Sequence, residues 1–166
     1  MTLDDRRWVD VTDRWPGRLR AAASLIHPGE SVLDIGAGAE GLKARLDPSC
    51  PYTPADQHQR TPDTVIVDLE HPITVIGPFD VVALLGVLEY VADPLTALRN
   101  CRDLARHLVV SYAPRGSGSR GRNGWRNCMT RIEVEALFVQ AGFVVESKLR
   151  WRDQFVYRLQ RSGVTL

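Results

Sequence analysis

Unbroken apolar runs alternate along this chain with stretches whose apolar residues recur at helical spacing. Ser31 to Ile35 reads as the first buried strand, and Phe79 to Leu85, apolar but for Asp80, has the pattern of a strand buried on both faces of a parallel sheet. Tyr52 to Ala55, Thr64 to Val67 and His107 to Tyr112 read as three further strands. Helical spacing marks Arg14 to Ile26, where Leu19, Ala22, Ala23 and Ile26 fall on one side and His27-Pro28-Gly29 ends the run. Leu42 to Leu46 is placed in a second helix. Pro94 to Leu104 is a third, with Asp93 as N-cap and Pro94 at the first helical position. Thr130 to Ala141 is a fourth, opened by the capping box Thr130-Arg131-Ile132-Glu133 and stopped by Gly142.

From Phe143 to Leu159 two β-rich runs are separated by only Arg152-Asp153, a gap that permits nothing but an antiparallel hairpin. The expected fold class is therefore α/β, a mostly parallel sheet with one reversed strand at its end. Two crossovers are too short for full helices. Asp56 to Asp63 offers about eight residues where a parallel connection normally takes a dozen or more, and Leu69 to Pro78 is short and holds two prolines. Helices should be reduced around the second and third strands.

With 166 residues, 44% of them hydrophobic and 25% charged, the chain suits one domain with a single core. Residues 1–27 form its N-terminal helical segment and 113–129 a flexible basic loop. A formal charge of +1 provides no global pull toward nucleic acid or anionic membrane. Cys50, Cys101 and Cys128 are odd in number and contain no C-x-x-C pair, so neither a disulfide framework nor a zinc site is expected. The four histidines lack metal-ligand spacing, and no metal is expected. The N-terminus, Met1 to Arg7, has acids and no apolar core of signal-peptide length, and no apolar run reaches about 18 residues, which leads us to expect a cytoplasmic location.

The chemistry begins at Val32-Leu33-Asp34-Ile35-Gly36-Ala37-Gly38-Ala39-Glu40-Gly41, a strand that ends in an acid and breaks into a glycine turn. Gly36, Gly38 and Gly41 satisfy G-x-G-x-x-G, the dinucleotide fingerprint. Asp34, two residues before the first glycine, argues for a different ligand. Fixed negative charge there repels a pyrophosphate and attracts a cation. S-adenosylmethionine carries an ammonium and a sulfonium and no phosphate.

These residues resemble the class I S-adenosylmethionine-dependent methyltransferases, from about Pro28 to Gln160. VLDIGAGAEG is similar to that family's first motif, D-x-G-x-G usually followed by another glycine, and here Glu40 stands in the last glycine's place. Phe79-Asp80-Val81-Val82 with Val87-Leu88-Glu89-Tyr90-Val91-Ala92-Asp93-Pro94 looks like its fourth-strand signature. The resemblance implies a Rossmann-like seven-stranded sheet of order 3-2-1-4-5-7-6 and a C-terminal hairpin. It also implies that Asp34, Gly36, Ala37 and Gly38 hold the methionine end of the cofactor. Asp56, with Gln57 after it, would accept the ribose hydroxyls, because paired carboxylate oxygens suit a vicinal diol. Asp68 and Leu69 would meet the adenine edge, or Asp68 is a turn aspartate. Leu85 and Gly86 would lie against adenosine and sulfonium.

Methyl transfer from a sulfonium is chiefly a matter of alignment. Glu89 and Tyr90 are the candidate bases just beyond the fourth strand, at the sheet edge where open α/β folds bind ligands; a packing tyrosine and a helix-surface acid are the plainer readings. No Asn-Pro-Pro-Tyr type tetrapeptide follows that strand, which favours an oxygen over an adenine or amide nitrogen acceptor. Arg115, Arg120, Arg122 and Arg126 share the Ala113 to Asn127 loop with Trp125 and no acid, so the loop reads as a substrate lid for an anionic or sugar-type small molecule. Trp8 and Trp15 would close the pocket from the other side, or pack the N-terminal helix on the sheet. Three other readings stand beside methyl transfer: a non-catalytic S-adenosylmethionine-binding partner or regulatory module, an NAD-dependent oxidoreductase, and RNA binding through the arginine loop. Near-neutral charge counts against the last.

Overall fold

The computed structural model describes residues 15–73, 77–116 and 124–163. Its frame is a seven-stranded sheet, β1 (Val32–Ile35), β2 (Tyr52–Asp56), β3 (Val65–Ile66), β4 (Phe79–Leu85), β5 (Ala105–Tyr112), β6 (Phe143–Trp151) and β7 (Gln154–Arg161). The order is β3-β2-β1-β4-β5-β7-β6. β1 to β5 pair in parallel, and β7 runs antiparallel to both β5 and β6. The expected topology is present in full. The two residues between β6 and β7 force the reversal, with Arg152 in the left-handed region at φ 54° to complete so tight a turn.

Helices α1 (Pro16–Ala23), α2 (Pro94–Arg102) and α3 (Arg131–Gln140) cover the sheet unevenly. On one face α2 and α3 bury Leu98, Cys101, Val134 and Phe138 against Leu33, Val82, Leu84, Leu108 and Tyr157. On the other, α1 and the segment after it set Ala22, Leu25 and Ile26 against Val32, Val81, Ala83, Val109 and Val156. Side chains alternate between the faces of a strand, so Asp34 shares the face of Val32 and lies on the α1 side.

Capping follows the sequence closely. Asp93 accepts from the Leu95 and Thr96 N–H groups, both at 3.1 Å, and Thr130 and Glu133 form the reciprocal capping box of α3. Thr130→Ala is expected to lower the unfolding free energy by about 1 kcal/mol, measured by urea denaturation; no change would show that the cap is redundant.

The helix expected over Leu42 to Leu46 is only a 3-10 turn, Lys43–Arg45. Pro48 stands close behind, and the residue before a proline is pushed out of the helical region. The N-terminal helix also stops earlier than expected, at Ala23 rather than Ile26. No helix occupies the described residues between β2 and β4, in keeping with the short crossovers. Trp8, Arg120 and Arg122 lie outside the described residues.

Candidate functional site

The carboxyl ends of β1, β2 and β4 open into a cleft of about 560 Å³, a volume typical of small-molecule sites. Every residue expected to hold a cofactor lines it: Asp34, Gly36, Ala37, Gly38, Asp56, Gln57, Asp68, Leu69, Leu85 and Gly86. Parallel register brings them together, because Ile35 pairs with Ala55 on one side and Leu84 on the other, so the loops that leave these strands emerge side by side.

At the β1 end, Asp34 is 4% exposed and accepts a hydrogen bond from the Tyr52 hydroxyl at 2.7 Å. Burial pushes its carboxyl up to about 6, against the opposing pull of that hydrogen bond and of the Arg18 charge. The same burial and the Asp34 charge raise the Tyr52 phenol, so Tyr52 stays a neutral donor. The glycine turn is required sterically: Gly36 has φ 80°, and a Cβ there would lie 2.6 Å from Val87 Cγ2. Glu40, in the place of the resembling motif's last glycine, adopts φ 55°. That is the conformation a glycine takes freely and another residue takes at a cost of about 1–2 kcal/mol. Its side chain offsets the cost by accepting from the Thr61 hydroxyl and from Lys43 Nζ, both at 3.1 Å.

Asp56 is 8% exposed at the end of β2. Its Oδ1 accepts from the His58 N–H at 3.1 Å and from Arg60 Nη2 at 3.4 Å. Asp68 is held differently. Oδ1 takes the Glu70 N–H at 3.0 Å, Oδ2 faces His71 Nδ1 at 2.9 Å, and the Gln57 side chain adds another bond. With both oxygens engaged and the side chain 46% exposed, its geometry is that of the turn aspartate.

Beyond β4, Gly86 has φ 71°, and a Cβ at that position would strike the Arg18 guanidinium. A 3-10 turn, Leu88–Tyr90, follows. It sends Glu89 inward, 2% exposed, with Oε1 accepting from the Ala113 N–H at 2.9 Å. Burial raises the Glu89 carboxyl, opposed by that hydrogen bond and by the Arg18 charge. Glu89 is thus no helix-surface acid. Tyr90, Trp15 and Trp125 line the same end of the cleft. Trp125 Nε1 donates to the Tyr90 hydroxyl at 3.1 Å, and Trp15 meets Trp151 edge to face with ring centroids 5.8 Å apart.

Of the described residues after β5, Trp125 and Arg126 line this end of the cleft. Arg126 Nη1 pairs with Glu70 Oε1 at 2.9 Å while its backbone N–H bonds the Glu89 carbonyl at 2.8 Å. Arg115 is not part of the cleft. Its guanidinium forks onto the Cys128 carbonyl at 3.1 and 2.9 Å, because its backbone pairs with Met129 and points the side chain along the loop. The two described arginines of that loop, Arg115 and Arg126, are therefore engaged within the protein. The sequence carried no signal for two other lining residues, Arg18 and Gln154. One is an arginine on a short helix, the other an amide at a strand start, and only the packing of α1 and the hairpin onto the sheet brings them in.

Among the described residues no group of three or more His, Cys, Asp or Glu side chains is placed to hold a metal ion, and no helix is long and apolar enough to cross a membrane. No protein-family model matches the sequence, and no curated protein sequence does. Solved structures do. A methyltransferase from Aquifex aeolicus, described as S-adenosylmethionine-dependent, superposes with TM-score 0.74 at 14% identity, covering 97% of this chain and 100% of that one. The 1,6-didemethyltoxoflavin N1-methyltransferase of Burkholderia thailandensis, solved with its namesake compound and S-adenosylhomocysteine, gives 0.73 at 18%, covering 96% and 83%. The pyocyanin biosynthetic protein PhzM gives 0.71 at 18%, covering 87% of this chain and 54% of its own, so the present chain spans about half the length of that protein. This chain has the fold shared by these methyltransferases.

Proposed function

We propose that this chain, acting as a single domain, binds S-adenosylmethionine in the β1–β2–β4 cleft and transfers its methyl group to a small-molecule acceptor, at oxygen rather than at an adenine or amide nitrogen. The observation that carries the reading is the buried Asp34 beside a glycine turn that leads into a three-residue 3-10 turn. A dinucleotide's pyrophosphate is normally met by the positive N-terminus of an α-helix after that turn. Here the helix is missing and a carboxylate stands in its approach, which speaks against NAD and for a cationic ligand. Solved proteins of the same fold carry S-adenosylhomocysteine or S-adenosylmethionine, in support of the same choice.

The residues present fit this cofactor. Asp34 would hold the ammonium, assisted by close backbone approach at Gly36 to Gly38. The Asp56 carboxylate at the end of β2 would take the ribose hydroxyls, Gln57 and Leu69 would flank the adenine, and Leu85 and Gly86 would leave room for the sulfonium. When bound, the cofactor supplies a methyl group on a positively charged sulfur, an electrophile that needs no further activation. The protein's remaining tasks are to align the acceptor, exclude water and receive a proton. Trp15, Tyr90 and Trp125 would wall the acceptor, and Glu89 Oε2 would accept the proton that an O–H group loses.

Thermal denaturation tests the reading. S-adenosylhomocysteine at a hundredfold excess over Kd should stabilise the protein by about 2.7 kcal/mol, several degrees in Tm, and NAD should leave Tm unchanged. Asp56→Ala is expected to remove most of that shift. Stabilisation by NAD and not by S-adenosylhomocysteine would sink the proposal. Stabilisation by S-adenosylhomocysteine with no transfer of labelled methyl to any acceptor in a broad metabolite extract would favour the binding-module reading instead.

A further inference from the structure

Glu40 stands where the methyltransferase motif has its last glycine, in the left-handed backbone that glycine favours. Gly38, Ala39 and Gly41 line the cleft and Glu40 does not, yet its bonds reach further than relief of that strain requires. The turn that holds Glu40 leaves β1, and the loop of residues 57–64 leaves β2 beside it, because the two strands are parallel neighbours. Backbone bonds already join their roots, with the Gly36 and Ala37 N–H groups donating to the Ala55 carbonyl at 2.8 and 3.1 Å. Glu40 adds a second tie farther out, where its Oε1 accepts from the Thr61 hydroxyl.

That bond sets the direction of a hydroxyl chain. A carboxylate only accepts, so Thr61 gives its one hydroxyl proton to Glu40 and receives the proton of Thr64, whose Oγ1 lies 3.1 Å away. The lone pairs of Thr64, a residue only 7% exposed, are left for the N–H groups of Thr61 at 2.9 Å and Arg60 at 3.3 Å. Bonds chained in this way strengthen one another. Arg60 carries the result into the cleft. Its buried Nε has no partner and its Nη2 reaches Asp56 Oδ1 at a long 3.4 Å, so the guanidinium is placed by the backbone that Thr64 holds. The His58 N–H, from the same loop, donates to the same oxygen. On its other side Glu40 accepts from Lys43, which lies over the Tyr52 ring at 5.5 Å. Lys43 is 56% exposed, so water screens that limb and the Thr61 limb is the stronger.

We infer that Glu40 is a positioning residue: through Thr61 and Thr64 it braces the 57–64 loop, which holds the His58 and Arg60 donors on Asp56 and so orients that carboxylate for the ligand of the cleft. In this chain the acid replaces the freedom of a glycine with a cross-link between the β1 and β2 connections. The identity of the ligand as S-adenosylmethionine rests on the function proposed above; the brace does not.

Two measurements on the full chain test this, amide hydrogen exchange without ligand and calorimetric titration with S-adenosylhomocysteine. Glu40→Gly restores the motif's glycine and relieves the left-handed backbone, so a residue that merely tolerates its place predicts binding as tight as the parent's or tighter. The brace predicts the opposite: exchange at the His58, Arg60 and Thr61 amides about tenfold faster, and affinity about tenfold weaker. Thr61→Val, close in volume and lacking the hydroxyl, should reproduce both effects. Glu40→Gln keeps a hydrogen-bonding group opposite the Thr61 hydroxyl and should restore affinity to within about threefold of the parent. Lys43→Met should change it by less than about twofold. Unchanged exchange in both Glu40→Gly and Thr61→Val, faster exchange with unchanged or tighter binding, or no rescue by Glu40→Gln would overturn the proposal. If exchange quickens in both variants while the parent chain fails to bind S-adenosylhomocysteine, the brace stands and the cofactor reading falls.

Discussion

Arg158→Ala is expected to lower the unfolding free energy by about 3–5 kcal/mol, a large part of the total stability of an ordinary domain. Arg158 is 3% exposed in the middle of β7, and its guanidinium reaches into three neighbours. Nη2 and Nη1 grip the two Glu30 oxygens at 2.6 and 2.9 Å, Nη1 also donates to the Leu25 carbonyl at 2.7 Å, and Nε donates to Glu146 Oε2 at 2.8 Å. Burial by itself disfavours the charged form of Glu30, yet the bonds to Arg158 and to the His27 N–H hold its carboxyl below the usual range. Truncation would leave that carboxylate half-buried with its main partner gone. Urea denaturation of Arg158→Ala, and of Arg158→Ala combined with Glu30→Gln, checks this. The double variant should recover part of the loss, and a single-variant loss under about 1 kcal/mol would show that water replaces the guanidinium at little cost. A functional consequence follows from position. The Leu25–Glu30 segment continues α1, and α1 carries Trp15 and Arg18 into the cleft, so the variant should also weaken whatever binds there.

The second large effect is a pH dependence of cofactor binding. The Asp34 carboxyl is raised to about 6 in the folded protein, first by burial, with Glu40 and Asp56 adding to the rise and Tyr52 and Arg18 opposing it. For the unliganded chain the sign is that of a raised acid. The folded state binds this proton more tightly than the unfolded state, so Asp34 contributes stability below the ordinary carboxylate pKa of about 4 that is lost as pH rises toward 6. A cationic ligand reverses the preference, because it binds the ionised form. Affinity for S-adenosylhomocysteine, whose amino group is protonated in this range, should therefore rise about tenfold per pH unit below 6 and level off above about 7. Asp34→Asn should flatten that profile and weaken binding about ten- to hundredfold, the loss of one charge-assisted hydrogen bond. Calorimetric titration between pH 5 and 8 measures both, and an equally steep profile in the asparagine variant would assign the dependence to another group.

Much of the cleft was legible before any coordinates. Asp34, Gly36, Gly38 and Asp56 sit where strands end and turns begin, and a parallel sheet collects such positions on one edge, so strand periodicity and a glycine pattern suffice to bring them together. Glu40 was legible as a departure from the glycine pattern but not as its solution. The left-handed backbone at that position depends on Thr61 and Lys43, which the folded chain supplies. Asp68 could be read two ways, and the Glu70 N–H and His71 together make it a turn former. Arg115 was misplaced because composition alone cannot say which way a loop arginine points.

What the sequence determined by itself is the order of strands and helices, the antiparallel ending and the acid-plus-glycine turn, all of which rest on local rules: apolar period, capping, and the two-residue link between β6 and β7. What only the tertiary structure decided is the far end of the cleft. Glu89 reads as a surface acid from its neighbours in sequence, yet the Leu88–Tyr90 turn buries it against Ala113, a residue of a different strand's end. Arg18 and Gln154 arrive from the two extremities of the fold. Their roles depend on long-range burial, where losing water makes each unpaired oxygen costly, and no local pattern in the chain encodes which side chains meet there.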